Sequence, residues 1–442
     1  MIRRTHLLLA GVIATFGAFC FVPDLSNDDN QAAVRENTVD ISGSTTDFDV
    51  SQYSFIKADS NYIDLNGDDW SSLAQSLKES SYRPFSVVHI GDSHIQADVS
   101  TGRIRKNFQN KFGSGGRGLI TPLKIAGTNE PYNYRFETTA ANTSAKLLKM
   151  PWMTDMGFTG VAFTPTPLKF DLKLSTLVQS NPEGEEFNRV RIFTNGKIFI
   201  DRVLNESNQD VKFTASAIDD EDYVDIKLES MEPSITINAH SFEPVTIFGA
   251  ELIGNDNGVR YHAIGNNGAT YSSYNRLGSM GCDISRLNPD LVVISLGTNE
   301  SFSNMEPDML EAEIDYLVKD IKRNNPSAKI LLTTPMECQK AQRVSRTKRS
   351  RSGQRRTVYS VTKNYVINDK VKIMRDAIIK YGNNHSIPVY DWYNIAGGDG
   401  ASNKWLDAGL MSKDRIHDTF LGYEVTGDLT YNAIINAITS SI

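Results

Sequence analysis

Apolar and polar positions along the chain fall into two textures. In the first, short unbroken apolar runs alternate with helical patterns. "SVVHI" within residues 85–90, "DLVVISL", "AKILLTTP" and "IPVYDW" are runs of the kind that form strands buried on both faces. Between them, "VSTGRIRKNFQNKF" brings Ile104, Phe108 and Phe112 back at four-residue spacing. "EPDMLEAEIDYLVKDIKRNNP" predicts a helix with its inner face at positions 309, 313, 317 and 321, and "DKVKIMRDAIIKYGNNH" predicts another. Strands alternating with helices predict an α/β domain with a parallel sheet.

The second texture fills residues 131–249. "GFTGVAFTP", "LKFDLKLS", "NRVRIFTNGKIFID", "VDIKLES", "SITINAH" and "VTIFGAELI" are short alternating runs with no helical stretch between them. They predict an all-β sandwich inserted into the α/β domain, which would then comprise 51–130 and 250–442. Asn195-Gly196 reads as a hairpin turn between two of these strands. "GSGGRG" at 113–118 lacks the Gly-Lys-Ser/Thr ending of a phosphate cradle and reads as a loop.

The amino terminus belongs to neither texture. Arg3 and Arg4 precede the apolar run "LLLAGVIATFGAFCFV", and 25–50 is a polar linker. This is the pattern of an export signal or uncleaved anchor over residues 1–24, placing the rest of the chain in the periplasm or cell envelope. The apolar run is shorter than a comfortable spanning helix. Membrane association through this segment is therefore an expectation, and the oligomeric state is left open.

Composition narrows the function classes. With 40% hydrophobic and 22% charged residues the chain reads as globular, and a formal charge of -7 disfavours a nucleic-acid partner. The basic run from Lys340 to Lys363, which contains no acidic residue, reads first as a solvated loop and second as an attractor for anionic substrate. Cys282 and Cys338 read as buried free thiols, and no His/Cys spacing suggests a metal site.

The chemistry is carried by four short stretches. "VVHIGDSHIQAD" ends a buried run in Gly-Asp-Ser, which places Ser93 at the carboxyl edge of the sheet, where α/β enzymes bind their ligands. The plain alternative is a turn with Ser93 as a helix cap. A serine nucleophile needs a base, and "SKDRIHDTF" supplies Asp414 and His417 three residues apart. "IGNNGATY" with Gly268 and "ISLGTNES" with Gly297 and Asn299 follow further strands and offer oxyanion donors. Here too Asn299 has a plain alternative, as a helix cap. Trp392 and Trp405 lie near these stretches and read as core or rim.

Taken in order, these blocks resemble the SGNH/GDSL hydrolase family, with Ser93, Gly268, Asn299 and His417 as the four named residues and Asp414 as the acid. The resemblance implies a three-layer α/β/α fold around a flavodoxin-like parallel sheet, with a Ser93-His417-Asp414 triad and no metal or cofactor. The oxyanion hole would be formed by Ser93, Gly268 and Asn299. "GDSHIQAD", followed by "FGSGGRG" and a β insertion, resembles the peptidoglycan O-acetylesterase subgroup. That subgroup carries a carbohydrate-binding-like β domain and removes acetyl groups from an acetylated glycan polymer. Three alternatives stay open: an O-acyltransferase, a deacetylase of another polysaccharide, and a non-catalytic glycan-binding scaffold.

Overall fold

The computed structural model describes residues 39–41, 45, 49–178, 184–217, 223–344 and 362–441. The expected export segment, 1–24, lies outside them. Among the described residues, no helix is long and apolar enough to cross a membrane.

The apolar runs form a five-stranded parallel sheet. Its strands are β1 (Pro84–Gly91), β2 (Gly258–Gly265), β3 (Leu291–Ser295), β4 (Lys329–Thr333) and β5 (Val389–Tyr390), in the order β2-β1-β3-β4-β5. Both faces are covered. Phe85, Val87 and Val293 pack with the buried faces of α1 (Ser71–Lys78), α2 (Ser100–Phe112) and α5 (Phe420–Thr439). Val88, Ile90, Val292 and Ile294 point the other way, onto α3 (Pro307–Asn324) and α4 (Lys370–His385). Each such side chain contributes roughly 1.5–3 kcal/mol by leaving water, so the alternation along β1 and β3 fixes which helices lie on which side. The inner face of α3 differs from expectation. Leu310, Ile314, Leu317, Val318 and Ile321 are buried, Met309 is exposed, and Glu313 binds Asn275. Positions 317 and 321 face inward as expected, while Leu310 and Ile314 replace 309 and 313 there, because burying the Glu313 carboxylate would be costly.

The chain runs from β1 to β2 on one side and then crosses to β3 on the other. The order reverses between β1 and β3, and α/β sheets bind ligands in the crevice at such a switch point. Ser93 follows β1 and Asn299 follows β3.

Residues 118–253 contain the strands of two further sheets. Strands 142–146, 161–165, 247–253, 187–194, 223–232 and 213–217 form one in that order, with 118–120 also pairing to 247–253. Strands 135–137, 169–175, 234–240 and 199–205 form the other. Phe136, Leu172 and Ile237 from the smaller sheet share a buried cluster with Ile192, Ile226 and Leu252 from the larger. Asn195-Gly196 is not a hairpin turn. The strands on either side of it pair in different sheets, so the turn crosses between layers, and Asn195 binds the Thr246 backbone N–H. Alternation alone could not separate a hairpin from such a crossing. The strand Ile247–Ile253 is buried throughout and runs across the expected boundary at 249.

A buried charge cluster joins the two regions. Asp98 accepts from Arg105, Arg117, Thr101 and Asn133, which ties α2 to the chain entering 118–120. Burial opposes its ionisation, but the two guanidinium groups outweigh that and hold the carboxyl well below the usual range. Of the two expected free thiols, Cys338 is buried and free, with its thiol pushed up to about 12 by burial, whereas Cys282 is disulfide-bonded.

Candidate active site

β1 ends at Gly91, and the next residues form a single helical turn, Ser93–Gln96. Its cap is Asp92, whose Oδ1 accepts the His94 backbone N–H at 3.0 Å, so Ser93 occupies the first helical position and is not the cap. The turn packs closely on the end of β2. A Cβ on Gly265 would lie 2.0 Å from the Gln96 nitrogen, so this position has room only for glycine.

Ser93, His417 and Asp414 form one hydrogen-bonded chain. Ser93 Oγ lies 2.8 Å from His417 Nε2, and His417 Nδ1 lies 2.7 Å from Asp414 Oδ2. Asp414 Oδ1 also accepts the backbone N–H groups of Ile416 and His417, each at 3.0 Å. The three-residue spacing therefore works as a tight loop, with the carboxylate gripping both the ring and the backbone of the histidine. Partial burial opposes Asp414 ionisation, but the hydrogen bonds from His417 and Ile416 outweigh it and hold the carboxyl below its ordinary value. The carboxylate directs the Nδ1 proton toward itself, which leaves Nε2 free to accept the serine proton.

The proposed oxyanion donors sit on two loops beside this chain. Gly268 adopts φ +80°, a conformation that suits glycine, and its backbone N–H makes no hydrogen bond among the described residues. The same holds for the Ser93 N–H. Asn299 begins a 3₁₀ turn but does not cap it with its side chain. Instead Asn299 Nδ2 donates to Asp92 Oδ2 and to the Ala269 carbonyl, each at 3.0 Å. Both protons of the amide are thus committed, one to the nucleophile turn and one to the Gly268 loop.

Two further side chains hold these loops, and no local motif marks either. Glu300 is buried. Its Oε1 accepts the Tyr271 N–H at 2.8 Å and its Oε2 the Gly297 N–H at 3.0 Å, so one carboxyl bridges the loops after β2 and β3. Gln96 accepts the Asn267 N–H at 2.7 Å and donates to the Asn129 carbonyl at 2.8 Å, tying the nucleophile turn to the Gly268 loop. Both occur as ordinary polar residues beside a motif, and only long-range contacts distinguish them. Burial pushes Glu300 up to about 7 and Asp92 up to about 6.

Around this centre, His94 packs its ring 5.2 Å from that of His417 and its Nδ1 lies 3.1 Å from the Tyr423 hydroxyl. Burial, with the neighbouring His417, lowers His94 to about 3 and keeps it neutral. Arg415, at φ +64°, donates to Gln339 Oε1 at 2.7 Å and lies over the Tyr365 ring. Gln339 and Tyr365 belong to the antiparallel strands Gln339–Val344 and Thr362–Ile367, whose base therefore touches the His417 loop. Most of the basic run between these strands lies outside the described residues. Trp392 and Trp405 are buried in the core.

A serine, imidazole and carboxylate in this arrangement, at the switch point of a parallel sheet, are the groups that nucleophilic acyl transfer requires. Residues 234–425 match the GDSL-like lipase/acylhydrolase family, and the chain is an ester-hydrolysing enzyme. The matched segment contains Gly268, Asn299, Asp414 and His417 but not Ser93, which the fold brings to them. No curated protein matches the chain. A solved peptidoglycan O-acetylesterase structure is similar over 85% of this chain and 98% of its own, at 21% identity and a TM-score of 0.62. A putative acylhydrolase from Bacteroides fragilis matches 42% of this chain and 76% of its own, at 23% identity and a TM-score of 0.28. A carbohydrate esterase family 3 structure from Talaromyces cellulolyticus matches 42% and 74%, at 14% identity and a TM-score of 0.28.

Proposed function

We propose that the protein is an exported serine esterase that removes O-acetyl groups from a cell-envelope glycan, with peptidoglycan as the substrate class. The observation that carries this reading is the unbroken relay from Ser93 through His417 to Asp414. Similarity to the peptidoglycan O-acetylesterase fold supports the choice of glycan. His417 takes the Ser93 proton as Oγ attacks the acetyl carbonyl carbon. The resulting oxyanion is held by the Ser93 and Gly268 N–H groups and by Asn299, which releases one of its two present acceptors. His417 then protonates the departing sugar oxygen. In the second half, His417 deprotonates water, which attacks the acetyl-enzyme and frees acetate.

Residues 131–249 serve in this reading as an all-β insertion that meets the polymer. In support, Leu148 stands half-exposed beside Gly268, within 2.9 Å of where a Cβ there would be. Residues 1–24 deliver the chain to the envelope. The complete relay disfavours a scaffold with no catalytic role. Acetate release from acetylated peptidoglycan, other acetylated polysaccharides and a soluble aryl acetate tests the assignment. Peptidoglycan should be the best polymer substrate by kcat/KM, and cleavage of aryl acetate without release from any peptidoglycan would overturn the substrate class.

A further inference from the structure

Behind the relay, under the carboxyl ends of β1, β3, β4 and β5, lies a cavity of about 90 Å³. Its lining is mixed, with Ile95, Ile104, Leu296 and Met336 on the apolar side and His89, Ser295, Thr333 and Thr334 on the polar side. Its roof is built from the immediate neighbours of the site residues. Asp92 and His94 flank Ser93, Thr298 precedes Asn299, and Ile416 and Asp418 flank His417. Ser93 and His417 themselves do not line it. The cavity is therefore lined by the residues that flank the reacting centre in sequence.

His94 and Tyr423 form the part of this lining that reaches the relay through the His94 ring. Both side chains line the cavity, and His94 lies against His417 on its other side. The two rings meet edge to face with centroids 5.8 Å apart and are joined by the 3.1 Å hydrogen bond. Tyr423 is held by α5, and His94 by the turn that carries the nucleophile. At ~30 Å³ per water the space equals roughly three waters, comparable to a few methylenes of an acyl chain.

We propose that the His94–Tyr423 wall is a specificity determinant that restricts the enzyme to acetyl esters by closing this cavity to longer acyl chains. The proposal rests on Ser93 as the nucleophile. An acetyl methyl needs no space beyond the wall, whereas a butyryl chain does. With the wall removed, two additional methylenes can pack against the apolar side of this space, a transfer corresponding to about tenfold in rate preference. Asp418, pushed up to about 7 by burial, accepts the Thr426 hydroxyl at 3.3 Å, and Asp92, the other carboxyl in the lining, accepts from the His94 N–H and from Asn299 Nδ2.

The test is the kcat/KM of para-nitrophenyl acetate, butyrate and hexanoate for the wild type, His94→Ala and Tyr423→Ala at pH 6.5. Wild type should fall from acetate to butyrate. His94→Ala loses rate on acetate, since His417 loses a neighbour, and in either variant the butyrate-to-acetate ratio should rise about tenfold. Filling the cavity with Ile104→Phe in the His94→Ala background should return the ratio toward wild type. A uniform loss on all esters in both variants would overturn the proposal, as would a raised ratio that survives cavity filling. Ser93→Ala serves as the control. If it keeps the esterase activity, the nucleophile reading fails; if it loses the activity while the ratios stay flat, only the wall fails.

Discussion

Glu300→Gln separates a residue that positions the site from one that merely fills the fold. The carboxylate accepts one backbone N–H with each oxygen, from Tyr271 on the Gly268 loop and from Gly297 on the Asn299 loop. Glutamine has one acceptor oxygen, so whichever way its amide lies, one of these N–H groups faces another donor. The two loops should move apart by a fraction of an ångström, and displacements of that order in a catalytic constellation cost roughly 10- to 100-fold in kcat. Stability should respond differently. Burial raises the Glu300 carboxyl from 4.5 to about 7 in the folded protein. The stability tied to its neutral form is fully present below pH 4.5 and is lost as pH rises through about 7, on the order of 3 kcal/mol in all. Glutamine cannot ionise, so the variant should lack this loss. Kinetics on an aryl acetate at pH 8 and urea unfolding at pH 5 and 8 read both effects. The expected variant has a lower kcat, a nearly unchanged KM and a flatter stability profile than wild type. An unchanged kcat together with an unchanged pH profile of stability would show that Glu300 neither positions the two loops nor carries the burial-raised carboxyl.

Other perturbations probe neighbouring parts. Asp414→Asn should lower kcat by roughly 10³- to 10⁴-fold with substrate binding nearly normal, because the ring loses the partner that fixes its tautomer; full activity in steady-state assays would remove Asp414 from the relay. Asn299→Ala should lower kcat by roughly 10²- to 10³-fold if its amide reaches the oxyanion, and a normal kcat with only a lower unfolding midpoint would confine Asn299 to bridging Asp92 and Ala269. Asp98→Ala strands Arg105 and Arg117 without their shared carboxylate and should cost about 3–5 kcal/mol in urea unfolding; a loss below 1 kcal/mol would show that the cluster is compensated by water.

The alternation of apolar runs and helical patterns was enough to read the central sheet, because strands buried on both faces must be apolar throughout. Ser93, Asp414 and His417 were legible because their spacing within short blocks carries their chemistry, and the structure brings these three together. Pairing partners were less legible. The strands flanking Asn195-Gly196 alternate just as hairpin strands do, and only their burial against opposite sides of one core sends them to different sheets. Asn299 was read as either a donor or a cap. Its side chain makes no cap, and its present acceptors are contacts from residues 30 and 207 positions away, which no local pattern encodes. Glu300, Gln96, His94 and Tyr423 act through similarly distant contacts. Each is common where it stands, and its significance comes from what the fold places beside it.

In the proposed mechanism Ser93 attacks the ester and carries the acetyl group between the two half-reactions. Rapid quenching of the enzyme with an aryl acetate, followed by peptide mass analysis, tests it most directly. An acetyl group should appear on Ser93 of the wild type within the first turnover and disappear on hydrolysis. The folded Ser93→Ala protein should show no such adduct and lose several orders of magnitude in rate. Acetate release at an undiminished rate by folded Ser93→Ala would contradict the account.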